Sequence, residues 1–295
     1  MAGNMWRRTM TTTQLPGHAV SAVRDRVERG ATSQVDRSAQ ILAPGNWADT
    51  DPFLLMAEDW FGRNGFDWHP HRGFETITYV VEGELEHRDN RGGHGVLRVG
   101  DAQWMTAGSG VVHAELAHNR EFVHTLQLWI NLPAADKFTE PAYQDLRGGE
   151  MPVRTEDGAR VRVFSGRSGD VTGPARNHVP ITFVDVTVQP GHALRQEIPA
   201  GQRGFAYVLA GSGLFGSDRT PAHAGQTVHL AADAAETALE VTADGHEPLH
   251  FLLWTGTPLG EPVAAYGPFV MNTPAQIQQT LVDYSRGAFG PIPGE

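Results

Sequence analysis

The chain has 295 residues, of which 40% are hydrophobic and 19% charged, enough to bury one large core or two ordinary ones. It contains no cysteine, so disulfides, thiolate metal sites and cysteine nucleophiles are excluded. A formal net charge of -11 and a single lysine, Lys137, argue against direct binding to nucleic acid.

Residues 1–45 are expected to form an N-terminal segment, part of it disordered. Arg7 and Arg8 are followed by the polar run MTTTQLPGHAVS rather than by a continuous apolar stretch, so no signal peptide is predicted. No part of the chain approaches the roughly 18 to 20 apolar residues that span a bilayer. We therefore expect a cytoplasmic protein with no membrane function.

Short segments rich in apolar and β-branched residues recur along the chain between glycines and prolines. In chain order they are TITYVVEG, GVLRVGD, HTLQLWINL, VRVFSG, ITFVDVTV, FAYVLAG, TVHL, ALEVTA and LHFLLW. Strands of this length, separated regularly by turn residues, predict a mostly β protein built as sandwiches or barrels.

One helix is predicted, near the C-terminus. Thr273 and Gln276 have the spacing of a capping box, and Pro274 occupies the first helical position. The following residues, IQQTLVDYSR, extend to Gly287, which is expected to end the helix.

The chain repeats itself weakly at a period of about 125 to 128 residues. The segment from Tyr79 to Gly83 resembles that from Tyr207 to Gly211, and the later turn at Gly100 resembles that at Gly225. Two similar β domains are therefore predicted, at residues 46–145 and 146–295, with the polar stretch 146–158 as the join.

Two histidine pairs indicate a metal site. In DWHPHRGFE, residues 67–75, His69 and His71 lie two residues apart, so they share one face of a strand that Pro70 holds extended. His113 and Glu115 form a second pair with the same spacing. Three imidazoles and a carboxylate at one point suit a divalent transition metal: Fe(II), Mn, Co, Ni, Cu or Zn.

The period of the repeat indicates that only the first domain has this site. Shifting by 128 residues places Glu197 opposite His69 and Pro199 opposite His71, and shifting by 125 places Ala238 opposite His113. The second domain, which also carries the helix, is expected to have no metal site.

Other polar and aromatic residues near these pairs have more than one interpretation. Glu75 is either a further ligand or a buried partner for an arginine such as Arg72. Four histidines are expected to lie at the surface or in ordinary hydrogen bonds: His87, His94, His118 and His124. Three aromatic residues are candidates for either pocket wall or core: Phe66, Phe74 and Trp104.

The ordered motifs closely resemble those of the pirin family of bicupins. They are HPHRGFETITYVVEGELEHRD, GDAQWMTAGSGVVHAE, LQLWINLP with EPAYQDL, and GPFVMNT before the helix. The resemblance implies two β-sandwich barrels of the jelly-roll type packed in one chain, with metal in the N-terminal one. It implies four ligands, His69, His71, His113 and Glu115, with Fe(II) as the first choice and Glu75 outside the ligand set.

The resemblance also suggests a function. Some pirin-like proteins are similar to quercetin 2,3-dioxygenases, which implies a flavonol or related small aromatic substrate, dioxygen, and Glu115 as a general base. Others resemble transcriptional co-regulators, so the alternative is a non-catalytic metal-dependent redox or ligand sensor that acts on a protein partner. Isomerase or decarboxylase chemistry also stays open. Both domains can bury their faces within one chain, so a monomer is physically reasonable.

Overall fold

The computed structural model describes residues 15–293. The expectation of disorder concerns residues 1–45, of which residues 1–14 lie outside the described range. The helices are α1 (Trp47–Thr50), α2 (Pro274–Ser285) and two short 3-10 helices, His118–Arg120 and Ala134–Asp136.

The strands β1 to β11 end by residue 146, where the predicted join begins, β12 lies within that join, and β13 to β25 follow it. The first eleven are β1 (Val20–Asp25), β2 (Val27–Glu28), β3 (Arg37–Leu42), β4 (Phe53–Phe61), β5 (Gly65–His71), β6 (Phe74–Asp89), β7 (His94–Arg98), β8 (Ala102–Thr106), β9 (Val111–Ala117), β10 (Val123–Asn131) and β11 (Ala142–Leu146). The others are β12 (Val153–Glu156), β13 (Ala159–Ser165), β14 (Arg167–Ser168), β15 (Val171–Thr172), β16 (Ile181–Val188), β17 (Ala193–Ile198), β18 (Arg203–Ala210), β19 (Ser212–Phe215), β20 (Thr220–His223), β21 (Gln226–Leu230), β22 (Thr237–Ala243), β23 (Leu249–Gly256), β24 (Ala264–Tyr266) and β25 (Phe269–Met271). Each predicted strand segment overlaps one of these strands, so the mostly β prediction is confirmed.

The strands form two sandwich-like domains rather than closed barrels. In the first, one sheet has the order β11-β8-β6-β10-β4-β3-β2, and β6 continues into a second layer where it pairs with β7 and β9, while β9 pairs with β5. In the second domain, the sheet β1-β21-β18-β23-β16-β13-β12 faces the sheet β17-β22-β19-β20. The N-terminal segment contributes to both domains, because β1 joins the second and β2 and β3 join the first.

The repeat is visible in backbone detail. Gly83 and Gly211 both have positive φ, 76° and 74°. Gly83 lies within β6, and Gly211 directly follows β18. Two residues before each glycine the pairing register shifts, at Val81 in β6 and at Leu209 in β18. The same bulge and turn therefore occur in both domains at a spacing of 128 residues.

The large sheets of the two domains pack against each other through one apolar core. It contains buried residues of both domains, among them Trp104 and Leu128 of the first and Phe183 and Trp254 of the second. Trp104 faces this core, so packing between the domains is the role of this pocket candidate. Burial of continuous apolar surface of this kind is the main stabilising contribution to such an interface.

Each domain also contributes one tyrosine whose hydroxyl hydrogen-bonds to a buried carboxylate of the other domain. Tyr79 donates a hydrogen bond to Asp185 at 2.9 Å, and Tyr207 donates one to Glu58. Each carboxylate accepts further hydrogen bonds from one arginine and one histidine, Arg162 and His250 at Asp185, and Arg26 and His124 at Glu58. The tyrosines, carboxylates and histidines of the two clusters are equivalent under the repeat, so the interface has an approximate internal two-fold symmetry.

The C-terminal helix forms as predicted. Thr273 and Gln276 make the reciprocal hydrogen bonds of a capping box, and Pro274 is the first residue of α2. The helix has 12 residues, and among residues 15–293 no helix is long and apolar enough to cross a membrane. It packs with β25 against the outer side of β5 and β9, through contacts that include Phe269 and Val112.

Lys137 joins this C-terminal segment to the first domain from a fully buried position. Its Nζ donates hydrogen bonds to the carbonyl oxygens of Gly73 at 2.8 Å and Val270 at 3.1 Å, and to Oδ1 of Asn131 at 2.6 Å. Three acceptors match the three donors of an ammonium group. The only lysine of the chain therefore links β25 to the first domain through buried hydrogen bonds.

Candidate metal centre

Neighbouring strands β5 and β9 place three histidines together. His69 lies directly opposite His113 in the antiparallel pairing, and His71 follows two residues later on the same face of β5. One nitrogen from each of the three rings lies within 4.8 Å of the others. Ring centroids are 4.3 Å apart for His69 and His113 and 4.9 Å apart for His71 and His113.

The free nitrogens of these rings suit a bound metal. Both ring nitrogens of His71 and Nε2 of His113 are buried and have no hydrogen-bond partner among the described residues. His69 donates from Nδ1 to the carbonyl oxygen of Asp67 at 2.7 Å, which leaves the lone pair on Nε2. Unpaired buried nitrogens are costly, and coordination to a metal would satisfy one nitrogen of each ring.

The electrostatics favour neutral imidazoles. Burial lowers the pKa of His69 from its ordinary value, and burial and the neighbouring His69 together hold the pKa of His71 well below it. Burial is the larger cause, and the three surrounding histidines the smaller one, that holds the pKa of His113 well below its ordinary value. Because only the neutral ring can bind a metal, these shifts prepare the site for coordination near neutral pH.

Glu115 lies two residues beyond His113 in β9, and its carboxylate is buried and hydrogen-bonded. Its Oε1 accepts a hydrogen bond from Thr78 at 3.0 Å, and its Oε2 accepts one from Gln127 at 2.7 Å. Trp129 donates to the amide oxygen of Gln127 at 3.0 Å, which fixes the amide with its NH₂ group towards Glu115. Burial raises the pKa of Glu115, and the hydrogen bonds from Gln127 and Thr78 oppose that shift. The group that meets within 4.8 Å comprises the three histidines, so Glu115 as a ligand stays a prediction.

Glu75 has partners other than the arginine considered for it. Its Oε1 accepts hydrogen bonds from Thr106 at 2.7 Å and from Nδ1 of His178, a residue of the second domain, at 2.9 Å. Arg72 instead forms an ion pair with Asp283 of α2 at 2.7 Å. The interpretation of Glu75 as a partner of Arg72 was therefore wrong.

Aromatic rings surround the imidazoles. The Phe74 ring stacks on Trp129 with centroids 4.2 Å apart, and both rings lie close to His71, at 5.1 and 5.3 Å. Phe66 lies 6.1 Å from His69. Two of the three pocket candidates thus border the site.

His87 is the residue that the sequence interpretation missed. It is 2% exposed, and its Nε2 lies 3.1 Å from Nδ1 of His113. His87 is buried together with Leu85 and Asp89, whereas the charged residues between them, Glu86 and Arg88, are more exposed. The charged residues on either side of His87 are the sequence signal that could have placed it on the inner face of the strand. Of the other three histidines, His94 and His124 hydrogen-bond to carboxylates as expected.

Known proteins with similar sequences cover both domains. Residues 31–130 match the family model described as Pirin, and residues 183–290 match that described as Pirin C-terminal cupin domain. A pirin-like protein of Solanum lycopersicum is 41% identical over 244 residues, 81% of this chain and 82% of that one. Pirin of Homo sapiens is 39% identical over 242 residues, 81% of this chain and 83% of that one. The chain belongs to the pirin family.

Among solved structures, a quercetin 2,3-dioxygenase from Acinetobacter baumannii is similar to this pirin-family chain. The two share 31% sequence identity with a TM-score of 0.83, covering 94% of this chain and 99% of that one. The bicupin fold predicted from the sequence is confirmed by this likeness and by the two family domains.

Proposed function

We propose that the protein is a metal-dependent dioxygenase of the pirin type that cleaves a flavonol such as quercetin with dioxygen. The observation that carries the proposal is the meeting of three neutral imidazoles with free nitrogens, beside a buried carboxylate. The name of the Acinetobacter baumannii relative supports the choice of substrate. A bound divalent transition metal would supply Lewis-acid and redox chemistry towards an enolic substrate and dioxygen.

His69, His71 and His113 would hold the metal, with Glu115 as the fourth ligand. We propose iron, because the resemblance to pirins implies it, although the ligand set also suits nickel, cobalt, manganese, copper or zinc. We also propose residues 46–145 as the metal-binding domain and 146–295 as the domain without a metal site. The pairing supports this division, because Glu197 and Ala238 are paired in β17 and β22 where His69 and His113 are paired in β5 and β9.

The proposed catalytic role of Glu115 is to accept the proton of the substrate hydroxyl. Thr78 and Gln127 each donate to a different oxygen of Glu115, so they fix the plane of the carboxylate. The ring of Trp129 is half-buried and stacks on the fully buried Phe74, so it offers an apolar wall against which a planar aromatic substrate could pack. Orientation of the substrate against fixed groups is a large part of the catalysis expected here.

The test is metal analysis of the purified protein by mass spectrometry, followed by oxygen uptake with quercetin on the same samples. We expect about one metal per chain in the wild type and loss of both metal and oxygen uptake in His113→Ala. Glu115→Gln is expected to lose turnover, because an amide cannot accept the proton.

A metal content that is the same in the wild type and in His113→Ala would reject the site. Wild type that holds metal but takes up no oxygen with quercetin would reject the flavonol dioxygenase. That second result would favour the alternative function, a non-catalytic metal-dependent sensor that acts on a protein partner in the cytoplasm. Glu115→Gln with unchanged metal content and turnover would reject the proposed base.

A further inference from the structure

We infer that His87 is a positioning residue that selects the metal-binding tautomer of His113. The inference rests on the metal centre proposed above and concerns a residue outside its ligand set. The two rings face each other in a buried setting, with Nε2 of His87 3.1 Å from Nδ1 of His113. This distance fits one hydrogen bond between two ring nitrogens.

The direction of that hydrogen bond decides whether His113 can bind a metal. If Nδ1 of neutral His113 carries the proton and donates it to His87, the lone pair of His113 is on Nε2, towards His69 and His71. If His87 donates instead, the proton of His113 is on Nε2, where it blocks coordination. Nε2 of His113 is buried without a partner, so only the first arrangement allows a metal to satisfy it. Metal-binding histidines in general hold their second nitrogen in such a hydrogen bond.

The tautomer of His69 is also set by a hydrogen bond at Nδ1, but with a different partner. Its Nδ1 faces the carbonyl oxygen of Asp67, which can only accept, so the lone pair of His69 is fixed on Nε2. His113 has no such carbonyl within reach of Nδ1 among its described hydrogen bonds, and His87 takes that place. The acceptor of His113 is thus a side chain, which a substitution can change.

The fold holds His87 in position through strand pairing and an aromatic contact. In the pairing of β6 with β9, His87 lies opposite Glu115 and Asp89 lies opposite His113. The ring of Tyr143, from β11, packs on His87 with centroids 4.6 Å apart. Because His87 is 2% exposed, its ring cannot turn towards solvent without disturbing these contacts.

The experiment compares His87→Gln with His87→Asn by titration of the metal-free protein with cobalt(II). Binding is followed by calorimetry and by the visible absorption of the bound ion. A glutamine amide oxygen extends about as far from the backbone as Nε2 of histidine, whereas the asparagine amide is one methylene shorter. We expect His87→Asn to bind cobalt about 10- to 100-fold more weakly, and His87→Gln to recover most of the affinity.

His94→Asn is the matched control, since His94 is an exposed histidine on the adjacent strand that bonds Glu86. It is expected to bind cobalt as the wild type does. The thermal unfolding of each metal-free variant separates loss of folding from loss of affinity. Wild-type affinity in a folded His87→Asn variant, or equal weakness of the Asn and Gln variants, would overturn the inference.

These outcomes are independent of the proposed reaction. Cobalt binding with the expected order of variants supports the role of His87 even if quercetin gives no oxygen uptake. A wild-type protein that binds no cobalt would overturn both the metal centre and the role of His87.

Discussion

His178 shows how a single residue links the two domains through charge. It belongs to the second domain, and its Nδ1 donates to Glu75, a fully buried carboxylate of the first. That hydrogen bond raises the pKa of His178 above its ordinary value, while partial burial opposes the rise. Nearby Asp136 raises it slightly further. The pair therefore makes part of the stability depend on pH.

The sign of this dependence follows from the raised pKa. A histidine whose pKa is higher in the folded state contributes its full stabilisation when the pH is below the pKa of the unfolded state. This contribution is lost as the pH rises through the pKa of the folded state. We expect His178→Gln to lower the free energy of unfolding more at about pH 5.5 than at about pH 9. Urea unfolding of the wild type and the variant at both pH values measures this loss of free energy. An equal loss at both would contradict the prediction, and the exposed His223→Gln is the control.

At this scale the meeting of His69, His71 and His113 was predictable, and the side chains that hydrogen-bond around them were not. The i, i+2 spacing of His69 and His71 is a property of one strand, so it is visible in the sequence. His87 and Gln127 reach the site from other strands, β6 and β10, and which strand lies beside β9 depends on topology. Pairing of Glu75 with His178 spans 103 residues and two domains, which no local pattern encodes.

Among the elements, β6 carries most of the site's supporting structure. Its first part pairs with β8 and β10, and its second part pairs with β7 and β9. Thr78 from the first part contacts Glu115, and His87 from the second part contacts His113. The change of layer occurs at Gly83, where a Cβ would lie 2.1 Å from the carbonyl oxygen of Phe122.

Gly83→Ala is therefore expected to destabilise the protein by about 2–5 kcal/mol, from its positive φ and from the close contact together. Gly92→Ala is the matched control, because Gly92 has a φ of 94° but open space around it. We expect it to cost about 1–2 kcal/mol, the conformational part alone. Denaturant unfolding gives both values, and equal losses would show that the Phe122 contact is unimportant.

The strands and the helix were predictable as elements because their patterns are local. Alternation in HTLQLWINL and the capping box at Thr273 act within a few residues. The strand β1 in the N-terminal segment was not predictable, because it has little burial of its own and forms by pairing with β21, some 200 residues away.

For the whole molecule, the reciprocal tyrosine contacts define how the domains associate. Asp185 and Glu58 are 3% and 2% exposed, so each needs its full set of donors. Loss of one donor leaves a buried carboxylate oxygen with fewer partners. The apolar core supplies affinity between the domains, and these two clusters fix their mutual position.

Tyr79→Phe and Tyr207→Phe are each expected to lower the free energy of unfolding by about 1.5–3 kcal/mol, the range for a hydrogen bond to a charged group. Their similar environments predict similar losses. Exposed Tyr266→Phe should change the value by less than about 0.5 kcal/mol. Losses at Tyr79 and Tyr207 no larger than this control would show that the packed rings alone hold the interface.

The position of Lys137 has a practical consequence for measuring motion. An acylating reagent for primary amines reaches its Nζ only when the contacts to Gly73 and Val270 separate, because the side chain is fully buried. The rate at which the lysine becomes acylated therefore reports how often the C-terminal segment lifts from the first domain. The chain has one lysine, so peptide mass spectrometry would assign this opening to a single site.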